Sequence, residues 1–217
     1  MSLPKPGDIV CAGLDMGLRS DSSTLVVIHR RGDMLYVGDL IEMRPEKGAP
    51  LKPSVVVRRF AKTMLAHGCS FAVADAHYAE SVREYLDEYD LSLAAGPSSP
   101  AEAYVRARAL MREGRIRIPR HARLIQQLKD VQGKPTSGGG MSIQHPRTSN
   151  GGHGDIAAAF VLAVWQLAGD ETADTAPDEG SREWEARASE RRRQKYKESV
   201  EERPAWMPKN RVRERFS

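Results

Sequence analysis

Between Asp8 and Gly169, short β-branched apolar runs alternate with stretches whose apolar residues recur at helical spacing, and beyond Gly169 both patterns stop. Runs that are apolar throughout belong to strands buried on both faces, so the pattern predicts a central sheet covered by helices. Asp8 to Leu14 reads as the first buried strand and delivers Asp15 to a turn at Met16-Gly17. Thr24 to His29 and Met34 to Glu42 read as two more strands, joined by the hairpin chemistry of Arg30-Arg31-Gly32-Asp33. Pro53 opens a helix to about His67, capped by Gly68, and the strand Phe71 to Ala74 follows and ends in Asp75. The alternation continues with a helix over Glu80 to Tyr89, a short strand over Leu91 to Ala95 and a helix ending near Glu113. Arg115 to Ile118 reads as an edge segment, and His121 to Val131 as a helix. Residues 133–152, rich in glycine, read as a flexible hairpin and loop before a uniformly apolar helix from Asp155 to Leu167.

A chain of 217 residues has room for one such domain and one active site. Residues 1–169 are expected to form it. Residues 170–217 lack the apolar content to order themselves and are expected to be a charged tail, disordered or conditionally helical. The tail's charge is segregated: Asp170 to Glu185 holds seven acidic residues against Arg182 alone, and Ala186 to Ser217 eleven basic against five acidic. The pI near 9.1 favours an anionic partner. Cys11 and Cys69 lie in apolar stretches without metal-ligand spacing, which predicts buried, reduced thiols and a cytoplasmic setting. No apolar run has the length of a membrane span, and the amino terminus lacks a signal-peptide core.

Asp15, Asp75 and Asp155 each end or begin a buried element. Convergent carboxylates repel one another unless cations neutralise them, and their oxygens suit Mg²⁺ or Mn²⁺. Two ions about 3.5–4 Å apart would activate water and stabilise the leaving oxygen of a phosphodiester. Each aspartate also has a plainer reading. Asp15 fits a turn, and Asp155 before Ile-Ala-Ala-Ala fits a helix N-cap. Asp75, at the carboxyl end of a strand, stands where open α/β sheets place sites.

Gly13-Leu14-Asp15-Met16-Gly17 with Asp21-Ser22-Ser23-Thr24 resembles the opening motif of phage terminase large-subunit nuclease domains. Phe71-Ala72-Val73-Ala74-Asp75, Ala109 to Ile116, and His153-Gly154-Asp155-Ile156-Ala157-Ala158-Ala159 resemble later segments of that family in the same order. The resemblance implies a ribonuclease H-like fold, a mixed five-stranded sheet flanked by helices. It also implies endonucleolytic cutting of concatemeric viral DNA in the bacterial host cytoplasm, with two Mg²⁺ or Mn²⁺ ions on Asp15, Asp75 and Asp155. Double-stranded DNA, the ATPase motor, the small terminase subunit and the portal are the partners it implies. The chain has no G-x-x-x-x-G-K-[ST] phosphate loop, so the motor is expected elsewhere.

Asp21 is a candidate fourth carboxylate or a turn former, His77 a DNA or proton-transfer contact or a surface residue, and His153 a phosphate or water contact or a loop former. Arg19, Lys134 and Arg147 are candidate DNA contacts, within an arginine-rich set that includes Arg106, Arg108, Arg112, Arg115, Arg117, Arg120 and Arg123. The rival functions are a junction resolvase or transposase core on the same fold, an actin or sugar-kinase type of ATP-binding domain suggested by Gly-Leu-Asp-Met-Gly, and a non-catalytic module whose aspartates are turns and caps.

Overall fold

A computed structural model describes residues 3–19, 21–74, 79–136, 140–146 and 154–169. The first three strands, β1 (Ile9–Asp15), β2 (Ser23–Arg31) and β3 (Met34–Met43), form an antiparallel meander as expected. Its tight turn at Gly32 needs the positive φ of 54° that glycine adopts without strain. Helix α1 (Pro53–Ala66) starts on its proline, and Gly68, at φ 62°, closes its end after His67. Then follow β4 (Phe71–Ala74), α2 (Ala79–Asp87), β5 (Ser92–Ala94) and α3 (Pro100–Arg112).

β6 (Ile116–Arg117) precedes α4 (Ala122–Asp130), which His121 caps by accepting the Leu124 N–H at 3.1 Å. β7 (Gln132–Pro135) and β8 (Met141–Gln144) pair as a separate antiparallel hairpin, and α5 (Asp155–Ala168) completes the domain. The tail from Asp170 onward lies outside the described residues.

The main sheet has the order β5-β4-β1-β2-β3-β6. It therefore has six strands where the sequence predicts five. The addition is the expected edge segment: Ile116 and Arg117 run parallel to Leu35 and Tyr36, and the Leu35 N–H donates to the Arg115 carbonyl at 2.8 Å. Two residues of ladder suffice to make it a strand.

β2 shows how the sheet separates two cores. Its side chains alternate by period two, so Val26 and Ile28 pack with Phe160 of α5 and Leu124 of α4. Leu25 and Val27 face the opposite way and pack with Phe60 and Met64 of α1 and Leu86 of α2. Cys11 and Cys69, in opposite layers, are both buried and free. Burial pushes the Cys69 thiol up to about 11 and the Cys11 thiol up as well, so both stay protonated and unreactive. No helix among the described residues is long and apolar enough to cross a membrane.

A buried histidine pair sits at the sheet pole opposite Asp15. His29 of β2 is fully buried, with Nε2 3.0 Å from Nδ1 of His67 at the end of α1, and His67 Nε2 lies 3.6 Å from the Asp39 carboxylate of β3. Gly38 makes room for the ring, since a Cβ there would stand 2.3 Å from His29 Nε2. Burial holds His29 below its ordinary range, His67 and Arg31 add to that, and Asp8 opposes it. The unfolded chain therefore takes up the proton first. His29's contribution is complete above an unfolded value of about 6.5 and is lost as pH falls below it toward the depressed folded value. The melting temperature is expected to fall as pH drops below about 6.5, and His29→Gln to flatten that fall. An unaltered pH slope in the variant would assign the effect to other groups.

Candidate metal centre

Asp15 is the last residue of β1 and is in register with Thr24 of β2, so it ends a strand rather than occupying a turn. Its neighbour in the sheet is β4: Leu14 pairs with Ala74, which sets the carboxyl ends of the two parallel strands side by side. Asp75, next after Ala74 in the sequence, lies outside the described residues, as do His77, Arg147 and His153.

Asp155 is delivered from the other direction by the first turn of α5. The plainer reading of this residue does not hold. Gly154 is the N-cap, in left-handed conformation at φ 90° with no side-chain cap hydrogen bond, and Asp155 is the first helical residue. Its carboxylate turns instead toward β2. Ser22 donates to Oδ2 twice, from Oγ at 2.7 Å and from its backbone N–H at 3.2 Å. Thr24 Oγ1 donates to the Asp155 carbonyl at 2.8 Å, and the Ala157 N–H donates to Gln127 Oε1 of α4 at 3.0 Å. Because Thr24 is also the register partner of Asp15, the two acids meet at one end of the sheet.

Only 4% of Asp155 is exposed, and a polar group so buried needs hydrogen-bond partners, which Ser22 supplies. Tyr104 of α3 reports the same crowding of charge. Burial raises its phenol well above the usual range, and the negative charges of Asp15 and Asp155 raise it further, so it stays an uncharged hydroxyl. Its oxygen lies 2.8 Å from Nε2 of His145, which follows β8. The His145 ring in turn lies against Gly154, where a Cβ would stand 2.1 Å from Nδ1. His145, just after the β7–β8 hairpin, thus contacts α3 and the residue before Asp155.

Asp21 is brought toward this end by the loop after β1, where a Cβ on Gly17 would stand 2.6 Å from the Asp21 backbone. Ser23 Oγ ties the same loop down by donating to the Gly17 carbonyl at 2.8 Å. Among the described residues no group of three acids, histidines or cysteines is assembled as a metal site. Asp15 and Asp155 are the candidate ligands that the described residues bring together.

The proposed DNA contacts divide. Arg19 and Lys134 are exposed. Arg106 instead donates to the carbonyls of Ala168 and Gly169 at the end of α5, Arg115 to the Asp33 carbonyl at 3.1 Å, and Arg123 pairs with Glu42 at 3.0 Å. These three have structural work to do. Ser22, Glu42, Tyr104, Gln127 and His145 carry no sequence-level signal of their own as site residues. Only Ser22 lies in a segment that the sequence marks, Asp21-Ser22-Ser23-Thr24, and there Asp21 is the residue with apparent chemistry.

A mixed sheet of this order with helices on both faces is consistent with a ribonuclease H-like fold. Within it, the chain has the fold of the phage large terminase nuclease domains. The large terminase nuclease of thermophilic phage G20c with bound magnesium matches 75% of this chain over 83% of its own, with 21% identity and a TM-score of 0.61. The Thermus phage P74-26 large terminase nuclease domain matches 78% of this chain over 85% of its own, at 22% identity and TM-score 0.61. The HK97 bacteriophage large terminase matches 76% of this chain at 20% identity and TM-score 0.62, and there the match spans only 40% of the longer protein. No protein-family model matches the sequence, and no curated protein is similar to it.

Proposed function

We propose that the chain is a divalent-metal-dependent endonuclease that cuts concatemeric viral duplex DNA during genome packaging. The observation that carries this reading is the buried Asp155 carboxylate, oriented by Ser22 toward the strand end that bears Asp15. Carboxylate oxygens are the donors that Mg²⁺ and Mn²⁺ select. The likeness to a terminase nuclease solved with magnesium, and to the same nuclease solved with cobalt, supports divalent binding at such a fold. Asp15 and Asp155, with Asp75, would hold two ions, and Asp21 is a candidate fourth ligand. When bound, the ions supply an activated water and charge compensation at the phosphodiester.

The chain's own groups set the conditions for that chemistry. Asp15 and Asp155 concentrate negative charge, so the site has little attraction for a DNA phosphate until cations occupy it. Tyr104, held protonated, offers a neutral hydroxyl beside them rather than a third negative charge. Exposed Arg19 and Lys134, with Arg147, would take up phosphates outside the acidic centre. The likeness to the longer HK97 terminase extends the proposal to partners: an ATPase motor, a small terminase subunit and a portal.

The expected result is cutting of linear duplex DNA, with little dependence on sequence, in Mg²⁺ or Mn²⁺ and none in excess EDTA. Mn²⁺ is expected to support more activity, because Mg²⁺ demands near-ideal octahedral geometry. Undiminished cutting in EDTA would sink the reading. Preference for branched over linear DNA would move it to a junction resolvase.

A further inference from the structure

Ser22 Oγ lies between two carboxylates. It is 2.7 Å from Asp155 Oδ2 on one side and 2.8 Å from Glu42 Oε1 on the other. The hydroxyl has one proton, so it donates to one of these oxygens at a time, and its position places Oγ within hydrogen-bond reach of both. Glu42 stands on β3 in register with Thr24 and is itself anchored. Its Oε1 is 3.0 Å from Arg123 Nη2 of α4 and 3.3 Å from Arg44 Nε, so two guanidinium groups balance its charge next to the buried acid. Asp155 Oδ2 is taken up by Ser22, and among the described residues no hydrogen bond reaches Oδ1.

We propose that Arg123 and Glu42 are positioning residues that act through Ser22 to orient Asp155, so that it presents Oδ1 alone to a divalent cation. The proposal rests on the reading of Asp155 as a metal ligand. Outer partners of this kind fix the direction of a ligand and typically change metal affinity or activity by about 10–100-fold when removed. α4 therefore has a part in the metal centre without contributing a ligand, and Arg123 is tied to the site through Glu42 rather than through DNA.

The test uses the full chain and Mn²⁺ as the probe. Binding is measured from free Mn²⁺ by electron paramagnetic resonance, cutting is followed as a function of Mn²⁺ concentration, and melting is recorded without metal. Ser22→Ala is expected to weaken Mn²⁺ binding by about 10–100-fold, and Glu42→Ala by about tenfold. Glu42→Gln, which keeps an oxygen for Ser22 but loses the charge held by Arg123, is expected to fall between Glu42→Ala and the parent. The half-saturating Mn²⁺ for cutting should rise in step, with a far smaller change in the rate at saturation. A purely structural role would lower the metal-free melting temperature and leave affinity alone.

Parent-like Mn²⁺ affinity in folded Ser22→Ala and Glu42→Ala overturns the relay while leaving the metal centre standing. Should either alanine variant not fold, Glu42→Gln and Arg123→Gln are read in the same way. A parent protein that holds no Mn²⁺ overturns the metal centre, and the relay with it.

Discussion

Asp155→Asn is expected to lower metal-dependent cutting by more than about 100-fold in a protein that remains folded, because removing an outer partner of a ligand alone typically costs 10–100-fold. Asparagine keeps the size of the side chain and an oxygen that still accepts from Ser22, but it lacks the negative charge that attracts a divalent ion. A capping role would predict the opposite, since Asn caps a helix as well as Asp does and the substitution would then be silent. The geometry separates the two: Gly154 occupies the cap, and Asp155 directs its carboxylate to Ser22. Asp15→Asn is expected to behave alike, being the other described candidate ligand at this end of the sheet. In the absence of metal, neither substitution should lower the melting temperature much, because each removes one of two mutually repelling charges. Full activity in Asp155→Asn would remove it from the site, whereas a collapse of metal-free stability in both variants would mark the acids as structural.

How far the sequence reveals this site depends on the range of the interaction involved. β1 and β4 are legible because each is a short, continuous apolar run, and the acid that ends it stands out against that background. Asp155 is legible as an important position but not in its role, since the same residue type serves as cap or ligand, and only the structure shows that Gly154, not Asp155, occupies the cap. Ser22 lies in the marked segment Asp21-Ser22-Ser23-Thr24, but neither its contact nor that of Glu42 is legible. Their meaning arises from contacts between β2, β3 and α5, separated by 20 and 133 positions along the chain, and neither residue interrupts a local pattern. The same holds for Tyr104 and His145, polar residues whose 2.8 Å contact joins α3 to the hairpin. β6 is legible as an edge segment but too short to count as a strand, because it is defined by the partner it meets and not by its own two residues.

Gly13→Ala is expected to destabilise the domain by about 3 kcal/mol or more, at the upper end of overpacking costs. The reason is not backbone freedom, since Gly13 has no positive φ. It is space: α5 lies so close over β1 that a Cβ at position 13 would stand 1.8 Å from the Ala159 carbonyl oxygen and 2.9 Å from the Ala163 nitrogen. Both obstacles are helix backbone, so no side-chain rotamer can relieve the clash and the whole helix must lift. Small residues on both surfaces allow this approach, with Ala159 and Ala163 fully buried opposite the glycine. For a domain of this size, such a loss corresponds to a fall in melting temperature of roughly 6–12 °C. The consequence reaches the candidate metal centre, because Asp155 begins the helix that is displaced and Asp15 ends the strand beneath it. Gly13→Ala should therefore weaken Mn²⁺ binding as well as stability, even though residue 13 bears no ligand. The glycine in Gly13-Leu14-Asp15 is then a measure of how closely α5 must approach β1 to bring its acid to the site. Thermal melting and Mn²⁺ titration on the same preparation check both parts, and a variant that melts with the parent would show that this contact is looser than the geometry requires.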